Sequence, residues 1–252
     1  MRSLKLTVAY DGTHFSGWQW QPGRRTVQGE LEAAIRRITG EELRVVSSGR
    51  TDAGVHALAQ AVSLTTGSKL AADILLKALN ANVPPDLVVL QVEEVPAGFN
   101  AIDDAVAKRY RYVIHDGPLR DVFSRHYAWH VRYVLDAAAM DAAAQELRGT
   151  HDFKSYETSG SARVSTVRTI REIGVARVAL DDRTRILVEV EADGFLYNMV
   201  RNIVGTLVQV GRGKRPGEWP REVLSARDRR AAGMTAPPQG LYLLKVTFRD
   251  MK

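Results

Sequence analysis

The 252-residue chain contains no cysteine. That removes disulfides, thiol nucleophiles and every cysteine-based zinc site, and it suits a reducing compartment. No apolar run approaches the roughly 18 residues of a membrane span, and the opening "MRSLKLTVAYDG" lacks the apolar centre of a signal peptide. The expectation is a cytoplasmic protein with no membrane partner. Neither a GxGxxG stretch nor a P-loop occurs, so no nucleotide cofactor is expected. The histidines, His14, His56, His115, His126, His130 and His151, show no HExxH spacing. His126 and His130 flank "YAW", which reads as strand or loop, and no metal site is expected.

What the chain has is positive charge. Lysines and arginines number 35 against 29 acids, a formal net charge of +6, with a sequence pI near 9.6. Such an excess attracts polyanions. With 45% hydrophobic and 25% charged residues the composition is that of a globular protein, long enough for one large domain or two small ones sharing a core.

Periodicity divides the chain into two similar halves, 1–103 and 104–252. In the first, "LKLTVAY" reads as a strand ending at the turn-prone "DGTHFSGWQ". "TVQGELEAAIRRITG" reads as a helix with Thr26 as N-cap and Gly40 as C-cap. "LRVVSSG", "AQAVSLTT" and "DLVVLQVEEV" read as strands, and "AADILLKALNANVP" as a second helix. The second half restarts with "AKRYRYVIHDG", the same strand followed by Asp-Gly. It continues with a helix at "LDAAAMDAAAQELRG", a loop at "THDFKSYETSGSARVSTVR", strands at "TIREIGVARVAL" and "RTRILVEVEA", a long helix at "GFLYNMVRNIVGTLVQVG" and a last strand "LYLLKVTF". Consecutive strands without an intervening helix point to an α+β fold with mainly antiparallel sheets. A cleft between the halves is where a site is expected.

Three stretches carry possible chemistry. "SSGRTDAGVHA" places Asp52 in a loop of small residues between two strands, with Arg50 two positions earlier. A solvated loop aspartate is the ordinary explanation; a nearby cation would instead keep the carboxylate ionised and nucleophilic, and aspartate attack on a sugar carbon is established chemistry. On the long helix, Leu196, Val200, Ile203, Val204 and Leu207 share an apolar face with Arg201 at its margin. That arginine either snorkels to water or is a half-buried cation aimed at a carboxylate such as Asp52. In "KRYRY", Tyr110 and Tyr112 share one strand face with Lys108, with Arg109 and Arg111 on the other. Strand packing explains the tyrosines; a base-stacking platform beside phosphate-binding cations is the functional reading. Further basic groups stand at Arg24 and Arg25, at Arg163, Arg168 and Arg171, and at Arg212, Lys214 and Arg215. With the aromatics, they favour an RNA substrate over a free sugar.

These stretches, together with "YDGTHFSGWQ", "TVQGELEAAI", "LNANVPPDL", "FNAIDDAVAKRYRYVI", "GTHDF", "STVRTI", "MVRNIVG" and "APPQGLYLLKV", resemble the TruA family of tRNA pseudouridine synthases over nearly the whole chain. "KSYETSGSARVSTVR" departs from the family pattern and reads as loop variation. The resemblance implies two ferredoxin-like halves around a central cleft, a homodimer, no cofactor, and uridines 38 to 40 of the tRNA anticodon stem-loop as targets. It implies Asp52 as the catalytic aspartate, Tyr110 as the active-site tyrosine, and Arg201 as the cation paired with the aspartate. Arg50 would position the flipped nucleotide, with Lys108 and Arg24 as further substrate contacts. Asp52 could attack the sugar or take a proton from C2′, and the sequence does not choose between these routes. Two other readings stay open: a basic RNA-binding or RNA-folding protein without catalysis, and an N-ribosyl hydrolase that would release free uracil.

Overall fold

A computed structural model describes residues 1–158, 165–180 and 183–249. Two compact units emerge, one formed by Met1–Val106 with the chain from Tyr242 onward, the other by Ala107–Leu241. The units differ in one element from the halves expected at 1–103 and 104–252. The C-terminal strand belongs with the first unit.

The first unit is built on β1 (Arg2–Tyr10), whose alternating pattern buries Leu4, Leu6, Val8 and Tyr10. It lies antiparallel between β3 (His56–Thr66) and β4 (Leu87–Val95), with Leu6 opposite Val62 on one side and Val92 on the other. The strand expected from "LRVVSSG" is reduced to β2 (Val46–Ser47) on the edge of β3, because the Ser-Ser-Gly segment turns into the loop that follows. β10 (Leu241–Phe248) runs parallel to β3, pairing Tyr242 with His56 and Leu243 with Ala57. Phe248 packs edge-on against Phe99, and the Arg249 N–H donates to the Asp104 carbonyl.

Two helices complete this core. In α1 (Val27–Thr39) the Thr26 side chain accepts from the Gly29 N–H, and Gly40 adopts the left-handed conformation at the other end, as the sequence signals require. α2 (Ala72–Asn80) buries Leu75 and Leu79 and packs on α1 and β4.

In the second unit β5 (Ala105–Asp116) pairs antiparallel with β9 (Arg183–Ala192), which pairs with β8 (Val167–Leu180), and that with β7 (Gly149–Asp152). β6 (Trp129–Val131) lies parallel to β5. The expected helix "LDAAAMDAAAQELRG" is α3 (Ala137–Gln145), capped by the Asp136 side chain. The long helix is α4 (Met199–Gly211) and starts later than expected, because Asn198 at φ 61° leaves "GFLYN" outside it. A short helix, α5 (Trp219–Ala226), has no counterpart in the periodicity reading. The stretch expected to be one loop after "LRG" contains most of β7 and a 3-10 turn at Lys154–Tyr156 with Ser155 and Tyr156 buried. Arg163 and the rest of 159–164 lie outside the described residues. Both units mix helix with mainly antiparallel sheet, the α+β class expected.

Candidate active site

The Asp52 loop is held by the segment after β1. The Trp18 N–H donates to the Thr51 carbonyl at 3.0 Å, and the Tyr10 hydroxyl meets the Thr51 hydroxyl at 2.8 Å in the core. Burial pushes the Tyr10 phenol up to about 12, so it remains a neutral hydrogen-bonding group at physiological pH. The loop closes on itself where the Val55 N–H reaches the Asp52 carbonyl at 3.1 Å. At its start the buried Ser48 hydroxyl meets the Gln60 side-chain oxygen, and the Gln60 amide donates to the Gly49 carbonyl, each at 2.7 Å.

Two glycines of "YDGTHFSGWQ" allow this approach. A Cβ on Gly12 would fall 2.0 Å from the Val55 carbonyl oxygen, and one on Gly17 would fall 2.7 Å from that of Thr51, with Gly17 already at φ +87°. Beside them His56, at the end of the loop, is buried and stacked on Tyr242 at 4.7 Å. Its Nδ1 lies 3.1 Å from both the Gly12 N–H and the Asp11 carboxylate, which ties the end of the loop to the start of the bracing segment. "YDGTHFSGWQ" and "GRTDAGVHA" are therefore one construction, the first bracing the second. Within it Asp52 is half-buried and Arg50 exposed, while the backbone between them is fixed.

Arg24 is exposed on the turn before α1. Arg25 next to it is committed: its guanidinium binds Asp86 through two hydrogen bonds of 2.7 Å and lies over the Phe15 ring at 4.2 Å.

The second unit holds the other expected residues. Tyr110 is buried on β5, edge-on to Phe195 at 5.0 Å, and half-buried Lys108 precedes it on the same side of the strand. Tyr112 is wholly enclosed, and its hydroxyl donates to the Pro237 carbonyl at 2.6 Å. That burial overturns the two-tyrosine platform. Tyr112 is fully enclosed, whereas Tyr110 keeps 8% of its surface exposed. The expected phosphate-binding role of Arg109 and Arg111 falls too, because Glu172, Glu189 and Glu191 pair with them across the sheet.

Arg201 lies in the first turn of α4, where a cation opposes the helix dipole. Its Nε donates to the Ala236 carbonyl and its Nη1 to the Asn198 side-chain oxygen, both at 2.7 Å. Two neutral acceptors thus fix a half-buried guanidinium in direction. Ala236 also returns its N–H to the Arg201 carbonyl at 3.1 Å. Beneath it Asn202 is fully buried: its amide donates to the Tyr156 carbonyl at 2.8 Å, and its oxygen accepts from Arg229 at 2.9 Å and Thr235 at 2.7 Å. Gly205 lets the 229–236 segment lie against the helix, for a Cβ there would overlap the Met234 carbonyl oxygen.

Sequence reasoning missed the supporting residues Tyr10, Gly17, Asn198, Asn202 and Ala236. Tyr10 and Gly17 lie in "YDGTHFSGWQ", Asn198 and Asn202 in "GFLYNMVRNIVG" and Ala236 in "APPQG", stretches that carried the family resemblance without marking these residues out. Among the described residues no group of three histidine, aspartate or glutamate side chains is placed to hold a metal ion, and no helix is long and apolar enough to cross a membrane.

The family model described as tRNA pseudouridine synthase matches residues 6–102 and 143–249. The chain is 44% identical over 248 residues to tRNA pseudouridine synthase A of Thermoanaerobacter sp. (strain X514), covering 98% of this chain and 100% of that one. It is 47% identical over 248 residues to tRNA pseudouridine synthase A of Brevibacillus brevis, again covering 98% and 100%. With the protein of the same name from Geobacillus kaustophilus it shares 47% over 249 residues, 98% of this chain and 95% of that one.

Proposed function

Because the chain belongs to the tRNA pseudouridine synthase family, an isomerase family that converts uridine to pseudouridine in tRNA, we propose that Asp52 is the group acting on the ribose of the target uridine. Isomerisation breaks the C1′–N1 bond, forms C1′–C5, moves the C5 proton to solvent and leaves N1 protonated. Atoms and electrons balance without an added reactant. The observation that carries the assignment is the bracing of the Asp52 loop: Gly12, Gly17, Tyr10 and Trp18 fix its backbone while the carboxylate stays partly accessible. Such rigidity is what holding a reacting carboxylate in line with one sugar carbon requires.

In this reading Tyr110 contacts the uracil and assists loss of the C5 proton. Arg201 keeps the reacting carboxylate ionised once substrate is bound. Arg50, Lys108 and Arg24 hold the RNA backbone and offset the few kcal/mol needed to extrude a paired nucleotide. The substrate is a uridine of the anticodon stem-loop, positions 38 to 40, and the enzyme works as a cytoplasmic homodimer.

The test is tritium release from tRNA labelled at uridine C5. The native chain is expected to release tritium without free uracil, and Asp52→Asn to bind tRNA within about threefold of native affinity while losing at least about a thousandfold in rate. Full activity in Asp52→Asn would remove the assignment. Free uracil in place of pseudouridine would identify a ribosyl hydrolase.

A further inference from the structure

The opposite end of α4 carries a group that the site above does not use. Arg212, the C-cap of the helix, lies over the ring of Tyr133 at 4.3 Å, and Arg215 lies over Trp219 at 4.8 Å. Tyr133 is 58% exposed and Val134 beside it 73%. Lys214, Arg215 and Arg132 are exposed too. Among the described residues none of Arg132, Arg212, Lys214 and Arg215 is paired with a carboxylate. This contrasts with Arg109, Arg111, Arg177 and Arg185 of the same unit, each taken up by an acid. The acids nearest in the chain are Asp136, engaged as the N-cap of α3, and exposed Glu218.

Complementing the helix dipole accounts for cations near the last turn of α4. It does not account for an exposed tyrosine with a guanidinium laid on it. The base of this patch is rigid. The Asp136 N–H donates to the Gly211 carbonyl at 2.9 Å, and Gly211 admits Met140 so closely that a Cβ would meet its sulfur at 2.6 Å. A fixed aromatic surface bordered by unpaired cations matches the chemistry of an unstacked base with its flanking phosphates.

We infer that Tyr133, Arg212, Lys214 and Arg215 form a second RNA-contact surface, which holds a tRNA segment other than the reacting nucleotide. The inference rests on the reading of the chain as a tRNA-modifying enzyme. Arg212 stands eleven positions after Arg201, about 16 Å along the axis, so the two contacts are distinct but within reach of one RNA. The surface contributes affinity and orientation, and no chemistry.

The experiment measures fluorescence anisotropy of full-length tRNA with the native chain, with Tyr133→Ala, and with the triple variant Arg212→Gln/Lys214→Gln/Arg215→Gln. KCl is varied from about 50 to 200 mM, and thermal melting serves as the check on folding. The triple variant is expected to bind about tenfold or more weakly and to lower the slope of log Kd against log salt by about 2. Tyr133→Ala is expected to weaken binding about fivefold with the native slope kept. Single-turnover tritium release at saturating enzyme stays within about twofold of native. Unchanged affinity and slope in the triple variant would overturn the inference, as would a lost saturating rate at native affinity. If the native chain released no tritium, the catalytic reading would fail, and the affinity and salt comparison would still decide this surface.

Discussion

Asp52 differs from an ordinary loop aspartate in what lies under it. Tyr10, Trp18 and the bare backbone of Gly12 and Gly17 set its position, so a methyl group at a distance should reach the chemistry. Gly17→Ala must place a side chain at φ +87° and 2.7 Å from the Thr51 carbonyl oxygen. We expect a stability loss of about 1–3 kcal/mol in urea unfolding and a fall in single-turnover rate larger than the fall in tRNA affinity. A native rate in a correctly folded Gly17→Ala variant would show that the bracing does not matter for catalysis. Arg201→Ala should still fold, as circular dichroism would check, yet lower the rate about a hundredfold, with a smaller loss of tRNA affinity. Parallel losses in rate and affinity would make Arg201 an RNA anchor only.

At the scale of the element, α4 combines the half-buried Arg201 on its edge with a structural interior. Its periodicity was legible because Val200, Ile203, Val204 and Leu207 repeat at helical spacing, and all are buried. Its start was not legible. Asn198 ends the preceding segment by a backbone conformation that no periodicity signals, and Asn202 reads as a polar interruption until its partners are known. Those partners, Tyr156, Arg229 and Thr235, come from segments far apart in sequence. Asn202→Ala leaves a half-buried guanidinium donor of Arg229 and the Tyr156 carbonyl without this partner, and we expect a cost of about 2 kcal/mol in chemical unfolding. A change under about 0.5 kcal/mol would mean that the network re-forms without it. α5 and β6 were illegible for a simpler reason: eight and three residues are too few for a period to establish itself.

At the scale of the whole molecule, the formal charge of +6 conceals how unevenly cations are committed. The Ser124 hydroxyl, with Arg183 and the Phe123 N–H, holds the Asp121 carboxyl well below its usual range against the burial that raises it. Arg25 lowers Asp86; at Asp116 burial pushes upward, but Arg177 and the Leu135 N–H outweigh it. In all three the folded chain binds protons less readily than the unfolded one. Their stabilisation is complete above the unfolded value of about 3.9 and is lost as pH falls through the lower folded values. Urea midpoints should accordingly hold between about pH 7 and 5 and drop below about pH 4, with a shallower drop in Asp121→Asn. A midpoint that stays level to about pH 3 would contradict this account.

The sequence by itself determined the α+β class, the strands and helices long enough to show a period, the caps of α1, and the family through motifs spread along the chain. Local residue type and spacing also singled out Asp52, Arg201 and the pair Tyr110 and Tyr112 as candidates, and the family resemblance chose Tyr110 within that pair. Only the tertiary structure decided that Tyr112 of "KRYRY" is fully enclosed, that Arg109 and Arg111 pair with acids across the sheet, and that the last strand joins the first unit. Those outcomes depend on which distant residue supplies the carboxylate, the carbonyl or the strand edge. Such pairings form across long stretches of chain and leave no periodic trace in it.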